Sequence, residues 1–311
     1  MAADNHAPAD KTAPHLAALR VDHLPDAARL SATLGWPYRE ADWRFAFDLG
    51  SGFAAEVDGR LVATAMWWPY GKTHASVGMI IVDPRMQGRG LGRALMQQLL
   101  HAARNRTVLL NATQEGLPLY TQLGFVARGQ VFQHQALLPA ETVLAATPAG
   151  VRPMQAADVE RVRRLDTAAT GMDRTALLDA LFAAGTTMVV DRGAGVAAYA
   201  CAREFGRGVV IGPVVASGAS SAADAMDLIT ALAGRARGQF LRIDVTEGGG
   251  LSAWLTGVGL PCVGRAVPMV REIQPGAMNA DADVGADADA DADADAEVDV
   301  RLFALSNQSF G

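Results

Sequence analysis

The amino-acid sequence predicts an α/β protein with mixed sheets, built from two similar domains in tandem. The chain has 311 residues, which is enough for two domains of ordinary size. Half of its residues are apolar, so each domain can bury a core of its own. Segments with strand and helix periodicity alternate along the chain, and the same order of elements occurs twice with little shared sequence. These observations indicate a duplicated α/β unit whose second copy has diverged.

The polar composition of residues 1–14 predicts a disordered N-terminal segment. The elements of a first domain follow over residues 15–140. Asp58-Gly59 between two apolar runs predicts a hairpin. The predicted strands are 15–21, 53–57, 61–68, 74–82, 107–111 and 125–138. The predicted helices begin near residues 22, 41, 91 and 115, where apolar residues recur at helical spacing.

Residues 141–150 are rich in Ala, Thr, Pro and Gly, which predicts a linker to a second domain over residues 151–276. Val151-Arg152-Pro153 repeats the strand that opens the first domain. The further predicted strands are 187–191, 196–203, 208–215, 240–245 and 263–273. The predicted helices lie near 159–165, 177–182, 222–233 and 251–255.

Residues 277–297 consist mainly of alternating Ala and Asp, and both residue types are poor strand formers. The repelling carboxylates predict a low-complexity, solvated loop. Apolar residues return in alternation within residues 298–311, which predicts a final strand. We expect this strand to be inserted in a sheet of one of the two halves, and the sequence leaves open which half.

Composition excludes several classes of function. The net charge is −6, but residues 277–311 carry eight Asp and one Glu against one Arg, so the rest of the chain is close to neutral. It has no basic stripe with interleaved aromatics, which argues against a nucleic-acid partner. No apolar run is long enough for a membrane helix, and no signal peptide precedes residue 15, so a cytoplasmic location is expected. The two cysteines, Cys201 and Cys262, match no metal-binding spacing, and no metal is expected.

A glycine-rich loop lies between the predicted strand ending at Val82 and the predicted helix that begins near residue 91. A dinucleotide fingerprint needs G-x-G-x-x-G, and here the glycines are at 88, 90 and 92 with Arg93 next. A triphosphate loop needs G-x-x-x-x-G-K-S/T, which is absent. The loop therefore belongs to neither class, although glycines before a helix still indicate a close approach of a ligand to the backbone.

The segment Gln87-Gly88-Arg89-Gly90-Leu91-Gly92 resembles the acetyl-CoA loop of the GNAT acetyltransferase superfamily, whose signature is Gln/Arg-x-x-Gly-x-Gly/Ala. The segment from Tyr120 to Phe125 resembles the second signature of the family, Y-x-x-x-G-F. Together the two segments make the resemblance specific over residues 15–138. Trp36, Glu40–Trp43, Asp173-Arg174 and 211–215 resemble bacterial tandem members with a degenerate second GNAT-like domain.

This resemblance implies which residues hold acetyl-CoA and which one acts as the acid. The free amides and the positive dipole end of the helix after the loop are suited to a pyrophosphate. Tyr120 corresponds to the tyrosine that protonates the leaving thiolate. The implied acetyl-CoA-binding residues are Ile80, Ile81, Val82, Gln87, Gly88, Arg89, Gly90, Leu91, Gly92, Arg93 and Asn111.

The general base and the acceptor side follow less directly. Strand parity puts His74, Ser76, Gly78 and Ile80 on one face, and His74 is the titratable residue among them, so it is a candidate base; a water chain is the alternative. The implied acceptor-binding residues are Trp36, Trp43, Trp67, Asp173 and Arg174. The second half lacks both the loop and the tyrosine, and we expect it to cover the acceptor site. A family sheet usually has two strands after the second signature, so the final strand is expected to supply the missing one.

The function that the sequence predicts is an acetyl-CoA-dependent N-acetyltransferase acting on the primary amine of a small molecule by direct attack in a ternary complex. Two alternatives remain open. The acceptor is a protein amino group in the first, and the chain is a non-catalytic acyl-CoA sensor or partner-binding protein in the second. We expect a monomer or a homodimer, without a metal, a nucleic acid or a membrane as partner.

Overall fold

The computed structural model describes residues 13–139, 148–193, 195–273 and 299–311. Most of the predicted N-terminal segment and of the predicted linker, and the whole Ala/Asp loop, lie outside the described residues. The first half contains β1 (His15–Ala18), α1 (Leu24–Thr33), α2 (Glu40–Leu49), β2 (Ser51–Val57), β3 (Arg60–Tyr70), β4 (His74–Val82), α3 (Leu91–Ala102), β5 (Thr107–Ala112), α4 (Leu117–Gln122), β6 (Val126–Ala127) and β7 (Val131–Leu137). The second half contains β8 (Val151–Pro153), α5 (Val159–Thr170), α6 (Thr175–Ala184), β9 (Gly185–Asp191), β10 (Val196–Phe205), β11 (Gly208–Ser217), α7 (Ser221–Arg235), β12 (Phe240–Thr246), α8 (Ser252–Gly257), β13 (Cys262–Arg271) and β14 (Val300–Ala304).

The element order confirms the predicted α/β fold with two repeats. The strand predicted over 125–138 is in fact two strands, β6 and β7, which pair with different parts of β13. Among the described residues no helix is long and apolar enough to cross a membrane.

The described strands form one continuous mixed sheet, in the order β1-β2-β3-β4-β5-β13-β7-β12-β14-β11-β10-β9-β8, with β6 beside β13. The two halves exchange strands at its centre. β13 comes from the second half of the chain but pairs antiparallel with β5, with Met269 opposite Leu110. β7 comes from the first half but pairs antiparallel with β12, with His134 opposite Ile243. Each half is therefore completed by a strand of the other half.

β14 lies inside the sheet of the second half, between β11 and β12. It runs antiparallel to both strands, and Ala304 is opposite Val214 of β11 and Val245 of β12. The expectation that this strand supplies the partner missing after the second signature was wrong. β13 fills that position in the first half, and β7 fills it in the second half. β14 lies elsewhere in the sheet.

The backbone after β14 passes so close to β11 that only a glycine fits at residue 212. A Cβ atom on Gly212 would lie 1.8 Å from the carbonyl oxygen of Leu305, and its φ of +152° is outside the usual range for other residues. The close packing of the residues after β14 against β11 thus requires the glycine at residue 212.

The three largest apolar clusters of the described residues hold the sheet and helices together. One lies beneath α3, where Leu91, Leu95 and Leu99 are buried on one helix face. A second lies beneath α7 in the other half. The third, called the shared core, contains side chains of α1, α2, α5 and α6 and joins both halves. Its buried members include Leu24, Trp43, Leu165, Leu177 and Tyr199.

Candidate functional site

The site begins where two parallel strands separate. β4 pairs with β5 over only three residues, from His74–Ser76 to Thr107–Leu109. Beyond this point the edge of β4 that faces β5 has no strand beside it among the described residues. A wedge-shaped opening therefore leads from the middle of the sheet to the glycine-rich loop, and the backbone groups along its edge are available to a ligand.

A bulge in β4 shapes this opening. The register between β3 and β4 shifts between Thr64 and Met66, and Met79 has a φ of +51°. The Thr64 hydroxyl donates to the Met79 carbonyl oxygen at 2.9 Å, which holds the bulge in place. An extra residue in a strand reverses the faces of all residues that follow it.

The bulge corrects the predicted face of Ile80. Ala75 and Val77 pack beneath α3 before the bulge, whereas Ile80 and Val82 pack there after it. Met79 and Ile81 belong to the shared core instead. Ile80 is therefore not on the face of His74 and Ser76, because strand parity does not continue through a bulge.

The loop between β4 and α3 presents unobstructed backbone to the opening. Gly88 and Gly90 have φ angles of +74° and +80°, and a Cβ on either would meet no atom within 4 Å. Gly90 is the N-cap of α3 and has no side chain to accept from the first-turn amides. A negatively charged group of a ligand can therefore approach those amides directly.

A cavity of about 810 Å³ lies along this opening, and we call it the loop cavity. It contains most of the residues that were predicted to hold acetyl-CoA. Those that line it are Ile80, Val82, Gln87, Gly88, Gly90, Leu91, Gly92, Arg93 and Asn111. Ile81 is buried in the shared core, and Arg89 is exposed beside the loop. The lining suits acetyl-CoA chemically, because free backbone amides lie at the loop and apolar side chains line much of the remainder.

Tyr120 lines the loop cavity, with 9% of its surface exposed. Its ring packs edge-on against Phe125, and a side chain at residue 116 would clash, because a Cβ on Gly116 would be 2.7 Å from the ring. Burial raises the pKa of Tyr120 to about 12. The hydroxyl therefore keeps its proton at neutral pH, as a proton donor must.

A second cavity, of about 230 Å³, adjoins the first on the side of the second half. We call it the arginine cavity, because Arg207, Arg242 and Arg265 are among its lining residues. Its other polar side chains include Gln133 and Gln135 of β7. The two cavities share Trp36, Gly78, Met79, Asn111 and Thr113. Their junction is therefore at the bulge of β4.

Residues 305–311, called the closing segment, form one wall of the arginine cavity, and the sequence analysis did not identify them as part of the site. The segment runs from β14 across β4 of the first half. The Ser76 hydroxyl donates to the Ser309 carbonyl oxygen at 2.6 Å, and the Asn111 amide donates to the Gln308 carbonyl oxygen at 2.9 Å. Asn111 thus faces the loop cavity while its Nδ2 group binds the closing segment.

Besides Ile81 and Arg89, five predicted residues line neither cavity, which corrects the expectations for their position. His74 is at the closed end of the opening, where β4 still pairs with β5, and contacts Thr73. Trp43 is fully buried and donates to Ser31 at 2.9 Å. Trp67 lies against Arg106, at 5.6 Å from the ring centroid.

Asp173 and Arg174 are the other two. Asp173 is exposed and accepts a hydrogen bond from the amide of Thr175. Arg174 is 1% exposed and forms a bidentate ion pair with buried Asp166, and it also donates to the Gly311 carbonyl oxygen at 2.9 Å. Arg174 is therefore not a pocket residue, and its charge gives no sign in the sequence that the side chain is buried. Its role in the structure is to join the closing segment to the second half.

The second half has the same kind of opening, but the chain itself occupies it. β11 and β12 pair in parallel only from Gly208–Ile211 to Phe240–Ile243 and then separate. β14 lies between them at that point. The opening in the second half is therefore filled by a strand, whereas the corresponding opening between β4 and β5 is not. In the described part of the chain, no group of three or more His, Cys, Asp or Glu side chains is arranged to hold a metal.

Comparisons with known proteins match both halves to the same family. A family model described as "Acetyltransferase (GNAT) family" matches residues 19–125, and one described as "Acetyltransferase (GNAT) domain" matches residues 162–281. An uncharacterized N-acetyltransferase of Bacillus subtilis, YitH, is 29% identical over 234 residues, which are 73% of this chain and 80% of that protein.

Solved structures share the fold over most of the chain. A proposed acetyltransferase from Pyrococcus horikoshii has a TM-score of 0.74 at 16% identity, and the match covers 99% of this chain and 100% of that one. A tandem GNAT protein from the clavulanic acid biosynthesis pathway has a TM-score of 0.59 at 15% identity, covering 85% and 99% of the two chains. At these identities the structural likeness concerns the fold.

Proposed function

The chain belongs to the GNAT acetyltransferase superfamily, and on this premise we propose that it transfers an acetyl group from acetyl-CoA to the primary amine of a small molecule, by direct attack in a ternary complex. The observation that carries the proposal is the junction of the loop cavity with the arginine cavity at the bulge of β4. Two ligands that enter from opposite sides meet there, and holding two reactants in contact is itself a large part of catalysis.

Acetyl-CoA, when bound, supplies an acetyl group that is activated as a thioester. The residues proposed to hold it are those of the loop and of the first turn of α3, where three consecutive amides, Leu91–Arg93, are available to phosphate oxygens. The backbone edge of Ile80–Val82 is proposed to bind the pantetheine arm, because β5 has already separated from β4 there.

Tyr120 is proposed to hold the proton that the departing sulfur needs. Its hydroxyl is protonated at neutral pH, because burial raises its pKa to about 12. The proton lost by the amine is proposed to pass to water. This follows from the lining, since the described residues shared by the two cavities, Trp36, Gly78, Met79, Asn111 and Thr113, include neither an imidazole nor a carboxylate.

A small-molecule acceptor is favoured over a protein by the walls of the arginine cavity. Its volume is about 230 Å³, and its lining comes from both halves and from the closing segment. A protein amino group would have to reach the junction on a side chain that passes through this narrow space. A small amine can enter it whole and bury most of its surface.

The test of the proposal is release of free thiol from acetyl-CoA over a panel of amines. The panel contains amino acids, polyamines, aminoglycosides and lysine peptides. We expect thiol release with at least one small amine, together with the N-acetylated product by mass spectrometry. Turnover with the lysine peptides alone would favour a protein acceptor. Tight binding of acetyl-CoA without turnover on any amine would favour an acyl-CoA sensor.

Replacing Gly90 by Val is expected to weaken acetyl-CoA binding by at least about tenfold, since losing even one charge-assisted hydrogen bond to phosphate has an effect of that size. A Cβ branch at residue 90 would occupy the open space in front of the first-turn amides of α3. Isothermal titration calorimetry of the variant with acetyl-CoA measures the effect. The wild-type protein is expected to bind one acetyl-CoA per chain, because β14 fills the opening in the second half.

Gly59→Val is the matched control for this variant. Gly59 has a φ of +71° and, like Gly90, open space around its Cβ position, but it lies in the β2–β3 hairpin. Both variants therefore carry a similar backbone strain. The same affinity in both variants would show that phosphates do not bind at the loop, and two equivalent sites per chain would contradict the role given to β14.

A further inference from the structure

The charges of the arginine cavity lead to an inference about its ligand that goes beyond the transfer reaction. Three guanidinium groups line this small space, and its described lining includes no Asp and no Glu. An amine substrate is itself cationic before it loses a proton, so arginines are an unfavourable surrounding for an amine alone. The positive charge of the cavity therefore calls for a ligand group other than the amine.

One of the three arginines is neutralised by a neighbour. Arg242 is 7% exposed and pairs with Asp244, at 2.9 Å between Nη2 and Oδ2. Asp244 also accepts a hydrogen bond from the side chain of Gln308 in the closing segment. This pair therefore contributes little net charge and acts mainly to position the wall of the cavity.

The other two arginines are not neutralised within the described part of the chain. Neither Arg207 nor Arg265 has a carboxylate within 4 Å there, whereas nearby Arg39 and Arg203 both lie close to Asp42. Arg207 stacks over Phe240 at 4.7 Å, and Arg265 stacks over Phe132 at 5.3 Å. Aromatic stacking orients a guanidinium while its N–H groups stay available to an anion.

The position of these two residues depends on the tertiary structure. Arg207 lies in the turn between β10 and β11, and Arg265 lies on β13, which the exchange places between β5 and β7. Both line the arginine cavity, and neither lines the loop cavity. Their charge is thus separate from the part of the site where the phosphates of acetyl-CoA are proposed to bind.

We infer that the acceptor carries an anionic group, a carboxylate or a phosphate, and that Arg207 and Arg265 bind it while the amine points to the bulge of β4. This inference rests on the proposed function. The polar amides of Gln133 and Gln135 on β7 are placed to bind uncharged parts of the same molecule. Two guanidinium groups match the oxygen pair of either kind of anion.

The experiment compares amines that share an aminoethyl group and differ in the charge of the group attached to it. The amines are ethanolamine, ethylenediamine, β-alanine and O-phosphoethanolamine, each assayed for kcat/KM with acetyl-CoA by thiol release. The wild-type protein is expected to prefer the two anionic amines to ethanolamine by about tenfold or more, as expected for charge-assisted hydrogen bonds. Ethylenediamine is expected to be the poorest substrate. Comparing kcat/KM for β-alanine and O-phosphoethanolamine shows whether the site prefers a carboxylate or a phosphate.

The variant R207Q/R265Q is expected to lose this preference, mainly through a higher KM for the anionic amines. R207K/R265K is expected to keep part of the preference, because lysine retains the charge without the planar fork. R237Q is the matched control, since Arg237 is an exposed arginine after α7 that lines neither cavity. Calorimetry of O-phosphoethanolamine without acetyl-CoA gives a readout that is independent of turnover.

The inference is wrong if the wild-type protein acetylates ethanolamine or ethylenediamine as well as the anionic amines, or if R207Q/R265Q keeps the preference; the proposed function survives both results. Binding of O-phosphoethanolamine that is lost in R207Q/R265Q, without thiol release from any amine, would support the anion site and contradict the proposed function. If none of the four amines binds and none leads to thiol release, the inference is overturned.

Discussion

A chain truncated after Met278 is expected to aggregate or to melt far below the wild-type temperature. The truncation removes β14 from the middle of the sheet, which exposes the unpaired backbone edges of β11 and β12. It also removes Phe303, Leu305 and Phe310, whose side chains are at most 5% exposed. Each such side chain contributes roughly 1.5–3 kcal/mol by burial, and a whole domain is stable by only about 5–15 kcal/mol.

Two variants support the interpretation of this result. Deleting residues 281–295 keeps all of β14 and the closing segment, and we expect its melting temperature to stay near that of the wild type. Gly212→Ala changes one methyl group, but that group would lie 1.8 Å from the Leu305 carbonyl oxygen, so β14 or the closing segment must shift. We expect this variant to fold with a clearly lowered melting temperature, measured by scanning calorimetry. Equal melting temperatures for the truncated chain and the wild type would contradict the structural role of β14.

Replacing Tyr120 by Phe is expected to lower kcat by roughly 10²-fold or more, which is the usual contribution of a general acid. The ring would keep its contact with Phe125, so the fold and the affinity for acetyl-CoA are expected to change little. The measurement is steady-state kcat with the best amine of the panel, together with calorimetry of acetyl-CoA and a melting curve. The affinity and the melting curve are needed because Tyr120 also belongs to the apolar cluster beneath α3.

The pH dependence gives a second readout for Tyr120. Burial favours the neutral phenol, so its pKa is raised to about 12 and the acid stays protonated as the pH rises through the ordinary tyrosine range near 10. We therefore expect that deprotonation of Tyr120 causes no loss of wild-type kcat with a midpoint near pH 10. Near wild-type kcat in Tyr120→Phe, with chemistry shown to be rate-limiting, would return Tyr120 to a purely structural role.

The parts of the site that depend on local sequence were predictable. The loop from Gln87 to Gly92 lies before a helix as its pattern required, and Tyr120 follows in a short helix beside it, because turn chemistry and helix capping act over a few residues. Asp58-Gly59 forms the hairpin for the same reason, with φ angles of +51° and +71°. These features are determined by residues that are close in sequence.

The prediction that His74 and Ile80 share a face was wrong because of the bulge in β4. Strand parity assigned His74 and Ile80 to one face, but the bulge at Met79 shifts the register between them. Gly78, directly before Met79, is the local signal of this bulge, because an isolated glycine inside a strand pattern often marks one. Its exact register depends on the neighbouring strand, where Thr64 stabilises the bulge by a hydrogen bond, and cannot be found from one strand alone.

By itself the sequence determined the tandem α/β fold of the GNAT acetyltransferase superfamily, and it located the glycine-rich loop before α3. The tertiary structure decided everything on the opposite side of the site. It exchanged β7 and β13 between the halves, placed β14 in the second opening and brought Arg207 and Arg265 together from elements far apart in sequence. The physical reason is range: capping and turns are set by neighbouring residues, whereas strand pairing and burial depend on partners that only the folded chain brings into contact.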